Sequence, residues 1–217
     1  MLVQFQKNNI NFTSVPICHV NLPTPEGCKT VKATVSMLIP GNAEDTKAVR
    51  EIGDSWNETL AGYVRDLFVQ NSYYDQSYQA LELSGQGDLA DRIVGLSSYQ
   101  NLYDGFNNEI YLSYLVAKPE LSAKTETRGI KNIGEALLGA VFSAAQKMKA
   151  YRVSFQSENN GFYAKTFSMI GLDIPELKRK KSPKIQICGC NIDEYVEYWQ
   201  EKFGVDFMEM ISEGILA

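Results

Sequence analysis

Histidine occurs once in this chain of 217 residues, as His19, and tryptophan only twice. A nucleophile activated by histidine would have to draw on that one imidazole, in an irregular N-terminal stretch, so Ser-His and Cys-His hydrolytic triads are set aside. Cysteine occurs four times, too few for a disulfide framework at this length. Cys188-Gly189-Cys190 lacks the spacing of a zinc knuckle, and nothing forces Cys18-His19 or Cys28 to join it. The thiols are read as free or structural, and no metal is expected. Neither a His-Glu-x-x-His motif nor a Gly-Lys-Ser/Thr phosphate loop is present. Gly85-Gln86-Gly87 is not followed by a helical pattern, which removes a dinucleotide fingerprint. No run approaches the roughly 20 apolar residues that cross a bilayer, so no membrane partner is expected. The first residues show no charged segment leading into an apolar one, so the expected address is cytoplasmic. Positive charge is also short: 21 Lys and Arg against 26 Asp and Glu give a net charge of −5, the wrong sign for a nucleic-acid partner. The one dense basic run, Lys178-Arg179-Lys180-Lys181, reads as a solvated loop.

What is present is an ordinary globular composition, 44% hydrophobic and 22% charged. Residues 1–30 are rich in Asn, Pro and Thr and read as an arm or strand without an identifiable partner. Thr30–Ile39 alternates and is β-branched, which predicts a strand stopped at Pro40-Gly41. Asn42-Ala43-Glu44-Asp45 has the form of a helix cap, and Val49, Ile52, Trp56, Leu60, Tyr63, Val64, Leu67 and Phe68 recur at helical spacing, as one helix or two broken near 55–57. Strands are predicted over Tyr78–Leu83 and Arg92–Tyr99 about a Gly- and Asp-bearing turn. Glu109–Ala117 is apolar on both faces, the pattern of a central strand covered on both sides. The clearest helix spans Ile133–Lys149, followed by a strand over Tyr151–Gln156, a helix over Phe162–Ile170 closed by Gly171, a strand over Lys184–Cys190 and a helix over Asp193–Phe203. Without repeats or linkers, residues 1–217 are read as one domain with an N-terminal arm (about 1–30) and a C-terminal extension (about 191–217).

Chemistry concentrates between Glu109 and Leu172. Arg128-Gly129-Ile130-Lys131-Asn132-Ile133-Gly134 places two glycines and two cations just before a long helix, a combination suited to a pyrophosphate at the helix N-terminus. Ser157-Glu158-Asn159-Asn160-Gly161 supplies a polar turn at the end of the next strand, where α/β sites lie, and Tyr163 follows in the first turn of a helix. An amide chain such as a pantetheine arm could pair with exposed backbone at the end of the strand Glu109–Ala117.

Tyr114-Leu115-Val116-Ala117-Lys118-Pro119, Ile133-Gly134-Glu135-Ala136-Leu137-Leu138, Asn159-Asn160-Gly161-Phe162-Tyr163 and Met169-Ile170-Gly171-Leu172 together resemble the acyl-CoA-binding core of the GNAT superfamily of N-acetyltransferases, over about three-tenths of the chain. Asn132 stands where the pattern has a glycine, and asparagine tolerates a left-handed backbone better than most residues. The resemblance implies an α/β fold with a mixed, mostly antiparallel central sheet flanked by helices. It also implies acetyl-CoA as co-substrate and an amine acceptor, a small molecule or a protein, that attacks the thioester directly. In its terms the donor would be held by Leu115, Val116 and Ala117, by Arg128, Gly129, Lys131, Asn132, Ile133, Gly134 and Glu135, and by Asn159. A backbone N–H near Val116 would polarise the thioester carbonyl, Tyr163 would protonate the departing thiolate, and Glu109, with Glu82 as second candidate, would take the ammonium proton. A domain of this kind without turnover, serving as a binding or structural protein, is the alternative. Tyr73, Tyr74, Tyr99 and Tyr103 are candidates for an acceptor cleft or for edge-strand packing. Tyr195, Tyr198, Trp199 and Phe203, at helical spacing, would form a homodimer face or cover the core.

Overall fold

The computed structural model describes residues 14–27, 29–56, 59–70, 76–103, 105, 107–121 and 129–208. The chain runs through β1 (Val15–Pro23), β2 (Thr30–Leu38), α1 (Ala43–Ser55), α2 (Thr59–Gln70), β3 (Gln76–Leu83), a single turn α3 (Leu89–Arg92), β4 (Ile93–Tyr103) and β5 (Asn108–Ala117). After a 3-10 turn at Pro119–Leu121 come α4 (Ile133–Lys147), β6 (Arg152–Gln156), α5 (Asn160–Ser168), the short α6 (Pro175–Arg179), β7 (Lys184–Cys188), α7 (Gly189–Phe203) and β8 (Asp206–Phe207). The strands form one sheet in the order β7-β6-β5-β4-β3-β2-β1-β8. Neighbours are antiparallel except β5 and β6, which run parallel across the α4 crossover.

Helices cover both faces. The stripe Ala48, Val49, Ile52, Ala61, Val64 and Phe68 of α1 and α2 buries against Leu38, Tyr78, Ala80, Ile93, Leu96 and Val116. Asn42 starts α1 by accepting from the N–H groups of Glu44 (2.9 Å) and Asp45 (3.0 Å), the cap expected from sequence. Asp45 then buries its carboxylate to accept from the N–H of Ile39 at 2.8 Å, closing the turn out of β2. On the other face α4 is buried nearly all round, through Ala136, Leu137, Leu138, Ala140, Val141, Phe142 and Ala145, because the sheet lies on one side of it and α7 on the other. The doubly apolar character of β5 has this origin: Ile110 and Leu112 pack with α4, and Val116 with α1 and α2.

The structure decides between several readings that the sequence left open and corrects one of them. The arm contributes β1, which pairs with β2 on one side and with β8 at Cys18–Phe207 and His19–Asp206 on the other. Cys190 lies in α7 rather than in a strand, because the buried positions Ile192, Tyr195, Val196, Trp199 and Phe203 hold the helix in register back to Gly189. Tyr195, Trp199 and Phe203 are fully buried, so they cover the core; Tyr198 is partly buried beside them. Tyr99 is core, 1% exposed, and Tyr103 projects at the end of β4; Tyr73 and Tyr74 lie outside the described residues.

Candidate functional site

Two observations locate the site. Ser98 of β4 pairs with Tyr114 while Tyr99 pairs with Leu112, so Ser113 is an extra, bulged residue in β5. Pairing between β5 and β6 ends at the adjacent step, Leu112 with Phe155. Beyond it β5 continues to Ala117, bonded among the described residues to β4 alone, and β6 turns into α5. The two parallel strands therefore part in a fork at their carboxyl ends. Because Lys118 donates its N–H to the carbonyl of Val94 (2.8 Å), alternation directs the main-chain groups of Val116 at β4 and those of Leu115 and Ala117 toward the open side. Of the three residues expected to hold the donor there, Leu115 and Ala117 rather than Val116 turn their main-chain groups to that side.

The N-termini of α4 and α5 flank the fork. Asn132 adopts φ 64°, ψ 23°, the left-handed turn that its side chain tolerates, and its side chain does not cap the helix. The first intrahelical bond runs from Ala136 N–H to Asn132 O (2.9 Å), which leaves the N–H groups of Ile133, Gly134 and Glu135 ahead of it. Phe162 lies against Gly134, and Leu115 comes within 4.0 Å of where a Cβ on Gly134 would sit, so α5, α4 and β5 meet here. Asn159 accepts from Phe162 N–H (3.1 Å) and so caps α5 with its amide oxygen. Asn160 is braced by Ser157 (2.7 Å) and donates to the carbonyls of Leu177 and Lys180, fixing α5 on α6. Lys131 donates its backbone N–H to Pro23 O (2.9 Å) and its ammonium to Pro25 O (3.0 Å), tying the turn to the β1–β2 hairpin. Gly129 is exposed with open space around it, and Arg128 lies outside the described residues.

Three candidate side chains are placed differently from expectation. Glu109 sits at the start of β5, and from there to Val116 the strand rises about 23 Å at roughly 3.3 Å per residue. Its carboxylate receives Arg152 (Nε 2.7 Å and Nη2), Ser154 Oγ and Tyr151 OH (3.3 Å). Burial alone would raise this carboxyl; the bonds from Arg152 and Ser154 and the guanidinium charge outweigh it and hold the group below its ordinary range. It is a structural ion pair at the wrong end of the strand for a base. Tyr163 does not project into open space: it is 7% exposed, its ring 4.4 Å from Phe155 and stacked toward Phe167, and burial drives its phenol well above the ordinary value. Because Phe155 makes the last β5–β6 pair, this ring nevertheless lies at the apex of the fork. Glu135, finally, turns its carboxylate to α7, accepting from Lys202 Nζ (2.6 Å) and Tyr198 OH (2.9 Å).

Sequence reasoning did not find the cleft beside the end of β5. It has a volume of about 510 Å³ and is lined by Glu51, Asp54 and Trp56 of the α1 end, Asp91 of α3, and Lys118 and Glu120 after β5. Its residues come from three separate segments, none with a motif. Glu82, on the same sheet face as Val116, lies near this end, close to the row Leu81–Gly95–Ala117 and about 10 Å across two strand spacings from β5. Arg92 approaches it at 3.9 Å and Ser14 at 3.5 Å. A smaller cavity of about 290 Å³, around Tyr103, Glu109, Tyr151 and Arg152, lies at the opposite end of β5.

No family model matches the chain, and no curated protein matches it in sequence. Solved structures similar to it include the ribosomal-protein-alanine N-acetyltransferase of Brucella melitensis biovar Abortus, at 11% identity over 71% of this chain and 99% of that one, TM-score 0.46. The AtaT toxin bound to the C-terminus of the antitoxin AtaR and acetyl-CoA is similar at 13% identity over 79% and 98%, TM-score 0.45. A GNAT-family acetyltransferase of Desulfovibrio desulfuricans is similar at 14% identity over 63% and 82%, TM-score 0.43. The sheet is mixed and mostly antiparallel, flanked by helices, with β5 and β6 as its parallel pair, which is the architecture that the sequence resemblance implied.

Proposed function

We propose that the chain binds acetyl-CoA in the fork between β5 and β6 and transfers the acetyl group to an amine by direct attack. The observation that carries this reading is the parting of the two strands at the Ser113 bulge, between two helix N-termini. The main chain of Leu115 and Ala117 would pair with the pantetheine amides and donate to the thioester carbonyl. The N–H groups of Ile133, Gly134 and Glu135 would receive the pyrophosphate, with Arg128, Gly129, Lys131 and Asn132 forming the turn before them. Asn159, whose amide oxygen caps α5, keeps its amide N–H₂ for the donor. Tyr163, at the apex, is held protonated and is the acid for the leaving thiolate. Glu82 replaces Glu109 as the base, acting through water on an ammonium admitted by the cleft, whose carboxylates suit a cationic acceptor.

Calorimetric titration with acetyl-CoA tests the donor site, followed by a panel of primary amines and N-terminal peptides scored by released thiol. Micromolar binding with amine-dependent thiol release is the expected result; a folded protein that does not bind acetyl-CoA would sink the reading. A second reading, a CoA-binding domain without turnover, is favoured by one observation: Tyr163 is packed in an aromatic cluster with Phe155 and Phe167. Binding without thiol release across the panel would select it.

A further inference from the structure

We infer that Lys202 of α7 is a positioning residue for the donor's pyrophosphate: it neutralises Glu135 in the first turn of α4, where an unpaired carboxylate would compete with the anion. The inference rests on the proposed donor site.

Glu135 is the third residue of α4, and its own N–H is one of those ahead of the first intrahelical bond. A carboxylate there occupies the positive pole that a phosphate would use, and two anions at one helix end oppose each other. The structure turns this side chain away and pairs it. Lys202 Nζ lies 2.6 Å from Oε1, Tyr198 OH 2.9 Å from the same oxygen, and Lys202 donates to Tyr198 at 2.7 Å, closing a triangle. The side chains of Glu135 and Lys202 are 9% and 27% exposed, so solvent screens the pair little. Burial works against the ammonium, yet the bonds it donates to Glu135 and Tyr198 outweigh it and Lys202 stays charged. Its Nζ also lies over the rings of Tyr198 (5.2 Å) and Phe203 (5.6 Å), which fix its direction. A helix outside the stretch of sequence resemblance thus sets the charge of the donor turn.

The test compares dissociation constants for CoA and for pantetheine, which lacks the phosphates, in wild type, Lys202→Met, Glu135→Gln and the double variant. Lys202→Met should weaken CoA about tenfold and leave pantetheine unchanged, and adding Glu135→Gln should restore CoA binding. Glu135→Gln alone keeps an oxygen for Tyr198 and Lys202, removes the negative charge, and should tighten CoA about threefold; it decides the matter if Lys202→Met does not fold. Equal losses for CoA and pantetheine would assign the triangle to helix packing and overturn the inference. So would unchanged CoA binding in folded Lys202→Met, or weaker binding in Glu135→Gln. Wild type that does not bind CoA removes the donor site itself, and the inference with it.

Discussion

The ring of Phe162 rests on the bare backbone of Gly134: a Cβ added there would lie 3.4 Å from its Cε2 and Cζ. That distance is an ordinary contact, so Gly134→Ala should fold with a stability within about 1 kcal/mol of wild type, the helix propensity of alanine helping. Gly134→Trp has no such room and must displace Phe162 from the fork. Calorimetry should show acetyl-CoA binding lost in Gly134→Trp, with circular dichroism reporting a retained fold.

Gly139 presents the opposite case. A Cβ at this position would come 2.0 Å from Cδ1 of Trp199, a rigid and fully buried ring. Propensity alone would reward Gly139→Ala by about 1 kcal/mol, whereas forcing α4 from α7 costs about 1–3 kcal/mol or more. Sterics should win, and the urea midpoint should fall by an amount equivalent to about 2 kcal/mol. An unchanged midpoint would mean that α7 can slide on α4.

Glu109 should act on stability rather than on donor binding. Its carboxyl titrates lower in the folded chain than in the unfolded one, so it stabilises above the ordinary carboxylate pKa of about 4.3 and loses that contribution as pH falls through the lower folded value. Glu109→Gln should therefore cost about 2 kcal/mol at pH 7. The difference from wild type should shrink toward pH 3 in denaturant titrations, and acetyl-CoA affinity should hold.

In the proposed chemistry, turnover depends on the hydroxyl of Tyr163 and the carboxylate of Glu82. Tyr163→Phe keeps the stacking on Phe155 and should leave donor affinity intact while thiol release falls at least about a hundredfold. Glu82→Gln should lower the rate with little change in donor affinity. Full activity in both variants would move the acid and base elsewhere.

The thiols divide by environment. Burial pushes the Cys18 thiol up to about 12, so it should resist iodoacetamide in the folded protein. Cys188 and Cys190 are exposed and should be alkylated under native conditions, as peptide mass spectrometry would show. Cys18 should react only after unfolding.

Elements with strong periodicity were legible in the sequence: β2, β5 and α4 fall within two residues of expectation, and the left-handed Asn132 follows from its side chain. The site was less legible because its decisive feature is a pairing event. Ser113 carries no signal of a bulge until β4 and β5 are set in register, and the fork exists only because β6 stops pairing at Phe155. Glu109 was misread for a related reason. Residue type made it a base candidate, but its remoteness from the fork and the guanidinium of Arg152 are properties of the parallel pairing. The Lys202–Glu135 contact joins residues 67 apart in sequence and could not be read from either helix alone.

The pairing of β8 with β1 also dictates an order of assembly. Among the described residues Cys18 and His19 find their outer neighbours in Phe207 and Asp206, and the Trp199 that covers Gly139 belongs to the same late segment. A nascent chain emerging from the ribosome can complete β2 to β5 early, but the outer side of β1 and the back of α4 stay bare until residues 199–207 have followed. Closure of this sheet waits on β8, so β1 is the last of the described strands from β1 to β5 to gain its second neighbour.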